Sequence, residues 1–106
     1  MRLYISGPMT GYEDHNFPAF FAAEKALKEA GYEVSNPAQY PVVDGETWES
    51  CLKRDIKDLV DCDGIALLDG WTASRGAVLE AEIAARVKLP LWHVDMWLES
   101  AKEWAV

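Results

Sequence analysis

The chain has 106 residues, of which 50% are hydrophobic and 26% are charged, the balance of one globular domain. Its formal net charge of −8 argues against binding duplex DNA or RNA through the phosphates, although a small nucleotide is compatible with it. The chain contains no apolar run near the roughly 20 residues of a membrane span, and residues 1–6 are too short for a signal peptide, so we expect a cytoplasmic protein.

The hydrophobic pattern alternates strands with helices. In chain order, it predicts a strand at 2–6, a helix from Asn16 to Ala30, a strand at 32–35, a helix from Thr47 to about Val60, a strand at 64–68, a helix at 74–87, a strand at 89–94 and a short helix capped by Asp95. Residues 38–46, which include Pro41, predict a surface loop that could cover a site.

Single residues support these boundaries. Asn16 is a favourable N-cap for the first helix, and Thr47 opens the second. The buried face of the first helix is expected to consist of Phe17, Phe20, Phe21, Leu27 and Ala30. The apolar arc of the second helix is expected to consist of Trp48, Leu52, Ile56, Leu59 and Val60. The last helix carries Trp97, Leu98, Ala101 and Trp104.

This alternation predicts an α/β fold, with a flavodoxin/Rossmann-like open parallel sheet of four to five strands flanked by helices. Ligands of such sheets bind beyond the carboxyl ends of the strands. Residues 6–11, the segment from Asn36 onward and residues 69–76 should therefore converge. Ser74 and Gly76 open the third helix, where free N–H groups favour an anion.

Glu80 is a carboxylate among core positions of the third helix. At about 100° per residue, Arg75, Glu82 and Arg86 form a polar stripe, whereas Glu80 points to the apolar side. A buried charge costs several kcal/mol unless it is paired or its pKa shifts, so chemistry is one reason to keep it. The alternative is that Glu80 lies at the edge of the stripe and bonds a backbone group or an Arg.

Asp55 is a second inward carboxylate, within the apolar arc of the second helix. Paired carboxylates are the usual equipment for cleaving a glycosidic bond. The alternative for Asp55 is a structural bond to a neighbouring loop. Tyr4, near the end of the first strand, could reach a carboxylate with its phenol, although the residue type alone favours a core position.

Two cysteines and two histidines show no metal-ligand pattern. Cys51 and Cys62 lack metal or redox spacing, so we expect two reduced, partly buried thiols. His15 and His93 are isolated in the chain. We therefore expect no metal and no cofactor.

Together these segments resemble the nucleoside 2-deoxyribosyltransferase-like superfamily. The shared pattern is Tyr-Ile-Ser-Gly at residues 4–7, an Asp on the second helix within residues 54–56, and Ser-x-Gly-x-x-x-Glu at residues 74–80. The resemblance covers most of the chain and implies one such domain over residues 1–106. It is nearest to the deoxynucleoside 5′-monophosphate N-glycosidases, in which a Ser contacts the 5′-phosphate; here that residue is Ser74.

The resemblance implies a role for each catalytic candidate. Glu80 is the expected nucleophile on C1′, Asp55 acts near the base and sugar, and Tyr4 orients the nucleophile. With the converging loops, the expected substrate-binding residues are Ser6, Gly7, Met9, Asp69, Ser74 and Gly76. Two features depart from the family: Glu82 stands where members often have Gly, and residues 7–11 lack the basic residue of the phosphate-binding glycosidases.

The expected function is cleavage or transfer at the N-glycosidic bond of a (deoxy)nucleoside 5′-monophosphate or nucleoside, with that small molecule as partner. The alternatives are a non-catalytic nucleotide-binding or sensing module on the same fold, and a structural protein with a vestigial pocket. The third helix is apolar nearly all round, with Leu79 and Ile83 opposite its alanines. It therefore predicts a homodimer or larger, with contact through this helix or the Trp-rich C-terminus.

Overall fold

The structure, a computed structural model, describes residues 1–40 and 43–104, without the side chain of Trp104. Pro41, placed in a loop by the sequence, lies outside the described residues, as does any contact of the Trp104 side chain. The strands are β1 Arg2–Ser6, β2 Glu33–Ser35, β3 Gly64–Leu67 and β4 Leu91–His93, and the helices are α1 Phe17–Glu29, α2 Trp48–Val60, α3 Arg75–Arg86 and α4 Val94–Trp104.

The strands form one parallel sheet in the order β2-β1-β3-β4, which confirms the predicted α/β class with four strands in the described part of the chain. From β1 the chain crosses to β2 on one side and then to β3 on the other. The strand order therefore reverses between β1 and β3. A cleft at the carboxyl ends of these two strands is the expected place for a ligand.

The central strand β1 separates two apolar cores. Leu3 and Ile5 face the core that α1 and α4 complete with Phe20, Leu27 and Trp97. Tyr4 faces the opposite core, which Leu59 of α2 and Ala84 of α3 complete. Since successive side chains of a strand alternate between faces, Ser6 shares the face of Tyr4. The sequence thus places two hydroxyl groups on the side of the sheet that α2 and α3 cover.

Three residues predicted in apolar faces are largely exposed. Phe21 of α1 is 46% exposed, because Phe20 and Leu27 lie seven positions apart on the buried stripe and Phe21 is rotated away from it. Trp48 and Val60, at the two ends of α2, are 40% and 48% exposed. Only Leu59 of α2 is fully buried, so this helix packs more loosely than its pattern suggests.

Asn16 occupies the N-cap position of α1, as predicted, whereas the start of α4 differs from the prediction. Asn16 has a left-handed backbone, with φ of 60°, and makes no side-chain capping bond; its Nδ2 donates instead to the Pro8 carbonyl at 2.9 Å. Asn16 therefore ties down the loop after β1. The helix α4 begins at Val94, before Asp95, and the Asp95 N–H donates to Nδ1 of His93 at 3.2 Å. The imidazole, not Asp95, takes the capping role.

The remaining predictions concern the surface. Residues 43–46 are exposed, as expected for a loop, whereas residues 37–39 form a 3₁₀ turn with Ala38 buried. Cys51 and Cys62 are not disulfide-bonded. No helix among residues 1–40 and 43–104 has both the length and the apolarity to span a bilayer. On α3, Leu79 and Ile83 are half-buried and Val87 is exposed; the homodimer stays a prediction.

Replacing Gly64 by Ala should destabilise the fold by about 1–3 kcal/mol, because the core there has no room for a methyl group. An added Cβ would lie 2.8 Å from Cζ2 of Trp97 and 3.2 Å from Cδ2 of Leu3. The matched control is Gly76→Ala in α3, where the nearest atom lies at 3.9 Å, and it should be neutral or stabilising by up to about 1 kcal/mol. Urea unfolding measures both variants, and equal effects would contradict the prediction.

Candidate functional site

A cavity of about 550 Å³ opens at the carboxyl ends of β1 and β3, between α2 and α3; we call it the Glu80 cavity. Its wall consists of Tyr4, residues 7–10, Tyr12, Phe20, Pro37, Trp48, Cys51, Leu52, Asp55, residues 73–77 and Glu80. The cavity thus lies where the strand order reverses, and two of the three predicted segments each supply four of its lining residues, 7–10 and 73–76. From the segment after Asn36, only Pro37 takes part among the described residues.

Glu80 is held by two hydroxyl groups from the central strand. Its side chain is buried in α3, with 6% of the residue exposed. The Tyr4 hydroxyl donates to Oε2 at 2.5 Å, and the Ser6 hydroxyl donates to Oε1 at 2.7 Å. Each carboxylate oxygen therefore receives one hydrogen bond from a fully buried residue. The alternative, a bond from Glu80 to a backbone group or an Arg, is not what the structure shows.

Burial dominates the electrostatics of Glu80. The pKa of Glu80 is raised from 4.5 to about 7, chiefly by desolvation and further by the charge of Asp55, against the lowering effect of the hydrogen bonds from Tyr4 and Ser6. The phenol of Tyr4 has a pKa well above its ordinary value, first through burial and then through the charge of Glu80. Tyr4 therefore stays protonated and remains a hydrogen-bond donor. A carboxyl that titrates near neutrality in a cavity is a group suited to chemistry.

Asp55 reaches the same cavity from α2. Its side chain is 17% exposed, and Nε of Arg54 lies 3.4 Å from Oδ1. Burial raises the pKa of Asp55 to about 6, against the lowering effect of the Arg54 charge and hydrogen bond. Two helices thus each supply one carboxyl group with a raised pKa to one cavity.

The first turn of α3 forms another wall. Ser74 is the N-cap, and its Oγ accepts the N–H of Ala77 at 3.2 Å. Gly76 lines the cavity beneath the indole of Trp48, whose Nε1 would lie 3.9 Å from a Cβ at position 76. The N–H groups of Arg75 and Gly76 lie in the first turn, where a helix leaves its donors without intrahelical partners.

The loop after β1 also lines the cavity, through Gly7 and Met9. The absence of a side chain at Gly7 has a packing reason, because a Cβ there would lie 2.7 Å from Cβ of Leu68. A glycine is therefore needed at position 7 because the loop passes close to Leu68, the residue after β3, and not because a ligand must approach it.

Two expected substrate-binding residues do not line the cavity. Ser6 is fully buried and its hydroxyl bonds Glu80. The side chain of Asp69 is 99% exposed and lies 2.7 Å from Nε2 of His93, in a separate concavity between α1 and α4. Asp69 follows β3 in sequence, but its side chain falls on the opposite side of the sheet from Glu80.

The structure adds Trp48 to the site, together with Arg75, for which the sequence left open a phosphate-neutralising role or a surface charge. The Arg75 guanidinium stacks 3.7 Å from the centre of the Trp48 indole ring. Arg75 is the one basic side chain among the described residues that line the cavity, and it takes no part in their ion pairs. Helical angle placed Arg75 on a solvated stripe and Trp48 in the core. Their contact joins two helices, which periodicity within one helix does not predict.

In the described part of the chain, no group of three or more His, Cys, Asp or Glu side chains could hold a metal ion. The cavity is lined by two carboxyl groups, by the Tyr4 hydroxyl that holds one of them together with the buried Ser6, and by the guanidinium of Arg75.

A family model and a solved structure match this chain. The family model described as a domain of unknown function, DUF4406, matches residues 1–93. No curated protein was found to match the chain. A solved structure of a 2-deoxyribosyltransferase from the psychrotolerant bacterium Bacillus psychrosaccharolyticus is similar, with a TM-score of 0.67 and 19% identity over 86% of this chain and 69% of that chain. At this identity the similarity shows a shared fold.

Glu80→Gln should stabilise the protein at alkaline pH. The folded state favours the neutral carboxyl, so this group lowers stability as the pH rises from 4.5 towards 7, and above 7 the loss is complete. The shift from 4.5 to about 7 corresponds to about 3 kcal/mol at 1.36 kcal/mol per pH unit. We expect a gain of about 1–3 kcal/mol in the free energy of unfolding at pH 8 and almost none at pH 4.

Urea unfolding at the two pH values measures this effect. Glu82→Gln, an exposed carboxylate of the same helix, is the control and should change stability little at either pH. A pH-independent effect of Glu80→Gln would show that the buried charge is not the cause.

Proposed function

Because this chain belongs to the DUF4406 family, whose description names no activity, we propose from its site that it cleaves or transfers at the N-glycosidic bond of a (deoxy)nucleoside 5′-monophosphate or nucleoside. The observation that carries the proposal is the meeting of Glu80 and Asp55, from separate helices, in one cavity of about 550 Å³. A fold shared with a 2-deoxyribosyltransferase supports the same class of reaction.

In the first step, the ionised Glu80 is the nucleophile. One of its carboxylate oxygens bonds to C1′ of the sugar as the bond from C1′ to the base nitrogen breaks, and the bonding pair leaves with the base. The hydroxyl groups of Tyr4 and Ser6 restrict the rotation of the carboxylate and hold it facing the cavity. A covalent intermediate divides one difficult displacement into two easier ones.

Asp55 handles the proton. With a pKa of about 6, it is partly protonated near neutrality and can deliver a proton to the departing base. In the second step, water attacks C1′, the ester bond to Glu80 breaks, and Asp55 takes the proton from the water. A second base in place of the water gives transfer instead of hydrolysis. Both routes return Glu80 as a carboxylate and Asp55 as an acid.

The first turn of α3 supports a 5′-monophosphate as substrate. Phosphate carries about two negative charges and binds well at helix N-termini and to Arg. Here the first turn of α3 and the guanidinium of Arg75 line the cavity beside Ser74. Arg75 supplies the positive charge that residues 7–11 lack. The stack on Trp48 holds the guanidinium in place.

The direct test is base release from a panel of nucleosides and 5′-monophosphates, with ribose and 2′-deoxyribose, followed by chromatography. The wild-type chain should release base from at least one of them, and a second added base would reveal transfer. Glu80→Gln should reduce turnover to background, and Asp55→Asn should reduce it about 10²–10⁴-fold. The controls Glu82→Gln and Asp61→Asn remove exposed carboxylates of the same helix or its end and should retain activity.

Two outcomes would contradict the proposal. Nucleotide binding in calorimetry without base release over long incubation would identify a non-catalytic binding module. Unchanged turnover in Glu80→Gln would show that Glu80 is not the nucleophile, even if the chain is an enzyme.

Arg75→Gln tests the phosphate preference. Loss of one charged hydrogen bond should lower kcat/KM for the 5′-monophosphate about 10–100-fold and leave the matching nucleoside nearly unchanged. Arg86→Gln, which removes an equal charge from the exposed end of α3, is the control and should affect neither substrate. If the ratio of kcat/KM for the monophosphate to kcat/KM for the nucleoside is unchanged in Arg75→Gln, Arg75 does not bind the phosphate.

A further inference from the structure

Ser6 is in direct contact with the proposed nucleophile but has no access to substrate. It is fully buried, it does not line the Glu80 cavity, and its hydroxyl donates to Oε1 of Glu80 at 2.7 Å. The other oxygen, Oε2, receives the hydroxyl of Tyr4, two residues earlier on the same strand. Tyr4, unlike Ser6, also lines the cavity.

The strand that carries Ser6 is an internal strand of the sheet. β1 pairs with β2 on one side and with β3 on the other; Ser6 lies opposite Leu67, and its carbonyl accepts the Leu68 N–H at 2.9 Å. A hydroxyl on such a strand has a fixed position. Two such donors, one for each oxygen, define the orientation of the carboxylate plane, whereas one donor leaves it free to rotate.

We propose that Ser6 is a positioning residue for the proposed glycosidic reaction, which fixes the carboxylate of Glu80 through Oε1 and does not bind substrate. This inference rests on the proposed function for its catalytic part, and on the contact between the two side chains for its structural part. It replaces the substrate-binding role that the sequence suggested for Ser6.

The groups that act on Glu80 come from three elements. Tyr4 and Ser6 of β1 donate hydrogen bonds that favour the ionised form, and Asp55 of α2 opposes ionisation by its charge; on α3 itself, Ala77 and Ala84 flank Glu80 without charge. Since Ser6 favours the ionised carboxylate, its removal should make Glu80 harder to ionise. A residue that merely bound the sugar would have no such effect.

The test is a carbon-13 NMR titration of the Glu80 carboxyl in the unliganded chain, with the resonance assigned by its loss in Glu80→Gln. In Ser6→Ala, the titration midpoint should move upward by about one pH unit, the size expected for a lost hydrogen bond to a charged group. Ser6→Cys keeps the volume with a weaker donor and should give a smaller upward shift. Ser35→Ala, at a buried serine on the neighbouring β2 that does not bond Glu80, should give none.

Kinetics on the best substrate of the panel provide the second readout. Ser6→Ala should lower kcat about tenfold or more with KM nearly unchanged, and the acid limb of its pH profile should move upward with the NMR midpoint. An unmoved midpoint in both Ser6 variants, or a raised KM with unchanged kcat, would overturn the proposal. If the wild-type chain releases no base, the proposed function fails while the titration still decides whether Ser6 controls Glu80.

Discussion

The site depends on the two hydrogen bonds that β1 donates to a buried carboxylate of α3. Without them, the pKa of Glu80 would lie above its value of about 7, and less of the carboxylate that the proposed reaction needs would be ionised near neutral pH. Because successive side chains of a strand point to opposite faces, two donors on one face must be two residues apart, as Tyr4 and Ser6 are. Both lie on β1, which has a neighbouring strand on either side and so holds a donor more firmly than an edge strand would. The fold and the proposed chemistry thus meet at β1.

Most of the fold could be predicted from periodicity. The apolar run at residues 64–68 indicated a strand covered on both faces, and the alternation of elements indicated parallel pairing, both of which the sheet confirms. The inward placement of Asp55 and Glu80 followed from helical angle, because a carboxylate inside an apolar arc is costly enough to stand out. The errors in the elements fell at helix starts: Asn16 is the N-cap of α1 but makes no side-chain capping bond, and His93 rather than Asp95 caps α4.

The details of the site were harder to predict from the sequence, because they depend on contacts between elements. The position of Asp69 depends on how the backbone turns after β3, which directs its side chain towards His93 and away from the cavity. The stack of Arg75 on Trp48 depends on the approach of two helices. The contact between Ser6 and Glu80 joins residues 74 positions apart. The pattern of residues within one helix or strand does not say which other element it will contact. A resemblance to a family says so only for the residues that the family shares.

Glu80 and Asp55 are held with unequal firmness by the elements around them. Glu80 is braced by the middle of the sheet, whereas Asp55 belongs to a helix in which Leu59 alone is fully buried. Local opening therefore needs less free energy at α2 than at β1, because fewer buried apolar contacts must be broken. Thermal fluctuation should consequently displace Asp55 more than Glu80. Under the proposed function, the acid that carries the proton would then be the more adjustable of the two, and the acid that bonds to the sugar the more fixed.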